Sequence, residues 1–134
     1  MKNNKYLTFG HAKTHLRYHL IFSTKYRKKC LTPIRESVLN AFKKSELNSH
    51  YKIIIMELDR DHIHLLITFK PFLALSQVVN RLKQLTTRYI WEENAEYLKK
   101  YYYKKKILWT NGYFCSTIGE VSEECIKTYI KNQG

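Results

Sequence analysis

The sequence has few acidic residues, few glycines and prolines, and no long apolar run. Its 134 residues include 24 Lys and Arg but only 11 Asp and Glu, so the formal net charge is +13. A bilayer-spanning helix needs about 20 apolar residues in succession, and no segment of the sequence meets that requirement. Four glycines and two prolines argue against a disordered or linker-rich chain. We therefore expect one domain over residues 1–134, with a surface charge that favours a polyanionic partner and no membrane insertion.

Cysteine is also scarce. Cys30, Cys115 and Cys125 are widely spaced and form no C-x-x-C pair, which argues against a zinc site and against a disulfide framework. The first five residues lack the apolar core of a secretory signal. We therefore expect reduced thiols and a cytoplasmic location.

The most informative stretch is a short apolar run that contains two histidines. Residues 61–67 are rich in Ile and Leu and are too short for an amphipathic helix, so they predict a β-strand. Side chains alternate along a strand, and His62 and His64 should therefore point to the same face. Two adjacent imidazoles are suitable ligands for a divalent metal, although this pattern alone is more often two structural histidines.

The remaining patterns predict alternating strands and helices. The predicted strands cover residues 14–23, 51–58, 61–67 and 113–118, and the predicted helices cover 32–49, 75–90 and the segment from Ser122 onward. Thr32 is expected to cap the first helix and Pro33 to begin it, whereas residues 92–106 are expected to be irregular. Asp59 and Arg60 should turn the second strand into the histidine strand. This order predicts an α+β fold, a ferredoxin-like antiparallel sheet (βαββαβ) with helices on one face plus a C-terminal helix.

The predicted C-terminal helix carries two further polar residues of interest. Tyr129 and Gln133 are four positions apart, which places them one helical turn from each other. A tyrosine beside a two-histidine metal site is a candidate nucleophile, and the amide oxygen of Gln133 is a candidate third ligand. Spacing alone does not show that this helix reaches the histidines, and Tyr129 is one of 11 tyrosines.

Several motifs, in this order, resemble the single-tyrosine HUH transposases, which move bacterial and archaeal insertion sequences as single-stranded DNA. The likeness extends from about Tyr18 to Gln133; its motifs are residues 18–27, the strand with His62 and His64, Trp109 with residues 112–114, and residues 126–133. The resemblance implies a ferredoxin-like fold, His62, His64 and Gln133 as ligands of Mg²⁺ or Mn²⁺, and Tyr129 as the nucleophile. It also implies DNA hairpins near the element ends as partners, and a homodimer.

Basic residues are the candidates for holding the DNA backbone, because phosphate contacts dominate affinity. The candidates are Lys25, Arg27, Arg81, Arg88, Lys104, Lys105 and Lys106. For the Tyr- and Lys-rich segment that ends at residue 106, a solvated loop is the first interpretation and a nucleic-acid contact is the second.

Two other functions stay open at this point. A domesticated, repeat-associated tyrosine transposase would cut hairpin-flanked chromosomal repeats with the same chemistry. A non-catalytic nucleic-acid-binding protein would instead expose stacking aromatic residues on the central strands, where this sequence places histidines. A membrane-surface protein is disfavoured, because no predicted helix opposes a basic face to a wholly apolar one.

Overall fold

The computed structural model describes residues 17–118, which contain four strands and two α-helices. Their order is β1 (Arg17–Ser23), α1 (Arg35–Ser45), β2 (Tyr51–Leu58), β3 (His62–Phe69), α2 (Leu75–Leu98) and β4 (Phe114–Ile118). Short 3-10 turns occupy Lys25–Arg27 and Thr32–Ile34. The strands pair in the order β2-β3-β1-β4, and every pairing is antiparallel. The prediction of an α+β antiparallel sheet with β1 and β3 at its centre is confirmed, whereas the predicted C-terminal helix lies outside the described residues.

Alternation along the two central strands separates a buried face from an open one. Leu20 and Phe22 of β1, and Ile63, Leu65 and Ile67 of β3, are fully buried. They share one hydrophobic core with the apolar sides of α1 and α2. A shift of β3 by one residue would bring the histidines into the core in place of its apolar side chains. Burial of the apolar side chains therefore specifies the register of β3 in the sheet. His62 and His64 consequently lie on the face of the sheet opposite the core.

Several boundaries differ from the sequence predictions. The first helix begins at Arg35 rather than at Pro33 and ends at Ser45 rather than near Ser49. Thr32 and Pro33 lie in the preceding 3-10 turn, and Thr32 does not act as a side-chain cap. The prediction that residues 92–106 are irregular is wrong for 92–98, which continue α2. Burial of Trp91 and Leu98, seven positions apart, explains this continuation, because both side chains face the core across two helical turns.

The helix α2 is locally distorted at Asn94. This residue has φ −131° and ψ 29°, and its side-chain amide donates to the carbonyl of Ile90 and to the hydroxyl of Ser37 at 2.8 Å each. The side chain therefore links the kink to α1.

The cysteines only partly match the prediction of reduced thiols. Cys30 is a free and buried thiol. Cys115 of β4 is disulfide-bonded, so the prediction is wrong for this residue. Sequence spacing does not reveal which cysteines meet in the fold. No helix within residues 17–118 is long and apolar enough to cross a bilayer.

Candidate functional site

The histidine pair of β3 is the centre of the candidate site. The ring centroids of His62 and His64 are 5.1 Å apart, with an angle of 62° between the ring planes. Both side chains are half-buried on the open face of the sheet. The neighbouring strands place Ile21 and Glu57 on either side of His64. A rigid sheet therefore holds two imidazoles side by side at the protein surface.

A carboxylate orients one of the two imidazoles. Nδ1 of His62 lies 2.8 Å from Oδ1 of Asp61, and the other carboxylate oxygen accepts a hydrogen bond from Nε of Arg27 at 3.2 Å. The hydrogen bond with His62, followed by the bond and charge of Arg27, lowers the pKa of Asp61 below its usual range. An ionised carboxylate can only accept, so the proton of neutral His62 lies on Nδ1. Its Nε2 then keeps a lone pair for a ligand.

The surroundings of His64 favour its neutral form. Burial is the main cause that lowers the pKa of His64, and the neighbouring His62 and His19 add to it. The His19 ring, on β1, lies 5.8 Å from that of His64. Sequence reasoning did not select His19, because its proximity depends on the pairing of β1 with β3. A neutral imidazole has the lone pair that metal binding requires.

These two imidazoles fit a divalent metal, and they supply only part of a coordination shell. Within residues 17–118, no three His, Cys, Asp or Glu side chains are arranged to hold a metal ion. The other two predicted site residues, Tyr129 and Gln133, lie outside the described residues. Their roles as nucleophile and third ligand stay predictions.

The predicted DNA contacts fall into two groups. Lys25, Lys104 and Lys105 line one cleft, and Arg27 lies beside the site through its ion pair with Asp61. Arg81 and Arg88 lie on α2, which packs against the buried face of the sheet. Arg81 donates to the carbonyl of Leu47 at 3.3 Å, Arg88 lies 5.1 Å from the ring of Tyr89, and Lys106 lines a groove with Lys83. Of the predicted DNA contacts, Arg27 adjoins the histidines, through its ion pair with Asp61.

Lys83 is a half-buried cation that the sequence analysis did not identify. Its Nζ donates to the carbonyls of Thr110, Asn111 and Gly112 at 2.7, 3.0 and 2.9 Å. Burial, and then the charge of Lys25, lowers its pKa to about 8. The ammonium is therefore committed to holding the turn before β4.

The open face of the central strands distinguishes two of the possible functions. The Phe and Tyr side chains on β1 and β3, namely Tyr18, Phe22 and Phe69, are buried in the core. A nucleic-acid-binding sheet that works by base stacking would expose such residues on these strands. This arrangement disfavours the non-catalytic alternative.

The fold and the site together define a class: an α+β protein whose antiparallel sheet has helices on one face and a candidate metal centre on the other. A family model described as "Transposase IS200 like" matches residues 12–133. The chain therefore belongs to the IS200-like transposase family.

Individual relatives agree with this assignment. The chain is 27% identical over 127 residues to the transposase for insertion sequence element IS200 of Salmonella typhimurium, covering 94% of this chain and 82% of that protein. It is 28% identical over 119 residues to the ISDra2 transposase TnpA of Deinococcus radiodurans, covering 88% and 84%.

Solved structures show the same fold. A crystal structure described as that of a candidate transposase from Deinococcus radiodurans R1 has a TM-score of 0.69 at 25% identity, covering 87% of this chain and 89% of that one. The structure of a REP-associated tyrosine transposase bound to a REP hairpin has a TM-score of 0.56 at 14% identity, covering 90% and 68%. The latter likeness concerns the fold alone.

Proposed function

We propose that this IS200-like transposase cuts and rejoins single-stranded DNA at the His62/His64 site, with Tyr129 as its nucleophile. The observation that supports the proposal most is the pair of imidazoles on one rigid face, one of them oriented by a carboxylate. Membership of a transposase family supplies the reaction class, which is cleavage and transfer of DNA strands. A single domain combines catalysis with DNA binding on a ferredoxin-like sheet.

His62 and His64, together with Gln133, would hold a divalent Mg²⁺ or Mn²⁺ ion. Imidazole ligands favour Mn²⁺ over Mg²⁺, since Mg²⁺ prefers oxygen donors. When bound, the ion neutralises the charge of the scissile phosphate and orients it for in-line attack. The protein's own contribution is to fix both imidazoles in their metal-binding form through Asp61 and through burial.

The covalent step exchanges one phosphodiester for another. The phenolic oxygen of Tyr129 bonds to phosphorus as the bond from phosphorus to the 3′ oxygen breaks. The phenolic proton is lost, the 3′ oxygen gains a proton, and the products are a 5′-phosphotyrosine and a free 3′-OH. The bonds made and broken are of similar energy, so a second DNA 3′-OH can reverse the step without ATP.

The basic surface would position the DNA but would not choose its sequence, because phosphate contacts are the same for every base. We propose that DNA hairpins at the element ends are the structures recognised. Moving an element requires two cuts, so one tyrosine per chain implies a homodimer. Pairing along an exposed sheet edge is one way to form it.

Cleavage of single-stranded DNA from the flanks of the protein's own gene tests this function. We expect cutting with Mn²⁺, no cutting with excess EDTA, and tighter binding to hairpin DNA than to plain duplex. The His62→Ala variant should bind hairpin DNA and fail to cut it. Metal-independent cutting, or undiminished cutting by His62→Ala, would contradict the proposal.

A further inference from the structure

We propose that a cleft beside the histidine site binds unpaired bases of the DNA strand by stacking them on Tyr26 and Tyr103. We call it the tyrosine cleft; it lies between the 3-10 turn Lys25–Arg27 and the segment 101–107. The inference rests on the proposed function, because the ligand is the strand that the site cuts.

The tyrosine cleft has the size and lining of a base-binding site. Its volume is about 450 Å³, and it is lined by Lys25, Tyr26, Tyr101, Tyr102, Tyr103, Lys104, Lys105 and Ile107. Tyr26 and Tyr103 are 72% and 77% exposed, so both rings are accessible to a ligand. Among the described residues, no Asp or Glu lines the cleft. Aromatic faces and cations without carboxylates suit a strand of stacked bases and phosphates.

The backbone holds Tyr26 in an unusual conformation. Tyr26 and Arg27 have φ of 62° and 53°, in the left-handed region that residues other than glycine seldom adopt. Such strain persists only where neighbouring contacts enforce it, and it concentrates at functional sites.

Several hydrogen bonds enforce the turn. Tyr102 donates its hydroxyl to the carbonyl of Lys25 at 2.7 Å, and the amide of Lys25 donates to the carbonyl of Leu108 at 2.7 Å. The amide of Arg27 donates to the carbonyl of Thr24 at 2.9 Å, and the hydroxyl of the fully buried Thr24 donates to the carbonyl of Lys28 at 2.8 Å. The Tyr26 ring is therefore placed at the cleft before any ligand binds, which lowers the entropy cost of binding.

Each exposed ring has its own cation. Nζ of Lys25 lies 5.9 Å from the centroid of the Tyr26 ring, and Nζ of Lys104 lies 5.7 Å from that of Tyr103. A single strand likewise alternates apolar bases with anionic phosphates. We infer that each ring stacks on a base while the neighbouring ammonium binds a phosphate.

A short series of contacts links the tyrosine cleft to the histidine site. Arg27 follows Tyr26 and donates to Asp61 at 3.2 Å, and Asp61 lies 2.8 Å from His62. We infer that a strand whose scissile phosphate lies at the histidines passes Arg27 on its way to the cleft. The bound bases are those that flank the cleavage site.

The test compares two probes that carry the same phosphates. One is a fluorescent oligothymidylate, and the other is an oligomer of equal length built from abasic units. Binding of each to the full chain is measured by fluorescence anisotropy in the same salt. Stacking of one base predicts that wild type binds the thymidylate at least about fivefold more tightly than the abasic oligomer.

Variants at Tyr103 identify the ring. Tyr103→Ala should lose most of this preference, whereas Tyr103→Phe should keep it, because the stacking face is retained. The exposed ring contributes little to folding, so the melting temperature of Tyr103→Ala should equal that of wild type. Lys104→Ala is the charge control. It should weaken the binding of both oligomers equally and reduce the slope of log affinity against log salt concentration by about 1.

At Tyr26 the substitution must preserve the backbone. Asn tolerates the left-handed region, so Tyr26→Asn removes the ring with little strain, and Tyr26→Phe is its matched control. We expect Tyr26→Asn to lose preference for the thymidylate and Tyr26→Phe to retain it.

The proposal that bases stack in the tyrosine cleft would be overturned if wild type bound both probes equally. It would also be overturned if Tyr103→Ala and Tyr26→Asn kept the full preference for the thymidylate. The cleavage assay on the same preparation separates this failure from that of the proposed function. Metal-dependent cleavage without a preference for the thymidylate would contradict only the role of the cleft. A preference for the thymidylate without metal-dependent cleavage would contradict the proposed function.

Discussion

Replacing Asp61 with Asn tests whether its carboxylate prepares His62 for metal binding. In the structure the carboxylate lies 2.8 Å from Nδ1 of His62 and also accepts from Arg27 at 3.2 Å. The amide that Asp61→Asn introduces has one donor and one acceptor group in nearly the same volume. It can therefore donate to Nδ1 and favour the tautomer whose proton lies on Nε2, where the lone pair is needed.

The size of the effect follows from the place of Asp61 next to a ligand. Removing the partner that orients a metal-bound histidine costs about 10- to 100-fold in metal affinity, or about 1.4 to 2.7 kcal/mol. The Asp61 side chain is only 18% exposed, so water is a poor substitute for the lost carboxylate. We therefore expect Mn²⁺ affinity to fall by at least about tenfold in Asp61→Asn.

Isothermal titration with Mn²⁺ measures this change, and NMR of the histidine ring nitrogens reports the tautomer of His62. Asp59→Asn is the matched control, with the same loss of charge two residues earlier. The Asp59 carboxylate lies 3.9 Å from Nε2 of His62 and is 61% exposed. At this distance the carboxylate makes no hydrogen bond to His62, and an exposed charge contributes at most about 1 kcal/mol, so affinity should change less than about fivefold.

Equal Mn²⁺ affinity in wild type and Asp61→Asn, with the His62 tautomer unchanged, would refute this reasoning. An equal loss of Mn²⁺ affinity in Asp59→Asn would also refute it, because the loss of one negative charge near the site would then explain both results.

Three further predictions concern the site, the core and the assembly. His62→Ala or His64→Ala should abolish the rise in melting temperature that Mn²⁺ causes, and Gln133→Ala should reduce it less; equal rises in all variants would exclude the metal site. Burial raises the pKa of Cys30 from 9.0 to about 11. The unfolded thiol therefore loses its proton first, and the free energy of unfolding falls as pH rises from 9 to 11. In urea unfolding, the free energy of unfolding of Cys30→Ala should fall by about 2 to 3 kcal/mol less than that of wild type over this pH range. An equal fall in both proteins would contradict the raised pKa of Cys30. In a homodimer with shared sites, mixing inactive Tyr129→Phe with inactive His62→Ala should restore cutting, whereas no recovery would indicate sites built within one chain.

Within residues 17–118, the sequence was sufficient for the order of the elements because apolar periodicity is local. Alternation in 17–23 and 62–69 identified the strands, and burial of their apolar side chains made the register of the histidines predictable. Helix ends were less predictable, since Trp91 and Leu98 extend α2 through tertiary packing that the Tyr- and Lys-rich composition of the segment conceals.

The environment of the histidines depended on contacts between distant segments. Arg27 and Asp61 are 34 positions apart, and His19 reaches His64 only through pairing of β1 with β3. The tyrosine cleft likewise joins a turn at residue 26 to a segment near residue 103. No local pattern encodes such distances, so the sequence supplied candidates and the fold supplied their neighbours.

The most direct test of the account is the covalent product itself. The protein is incubated with Mn²⁺ and single-stranded DNA from the flanks of its own gene, labelled at either the 5′ or the 3′ end. We predict a denaturation-resistant adduct that retains only the 3′ label, because Tyr129 bonds to the 5′ phosphate of the downstream fragment. The adduct should disappear in Tyr129→Phe while hairpin binding persists. An adduct that carries the 5′ label, or one that forms undiminished in Tyr129→Phe, would contradict the mechanism.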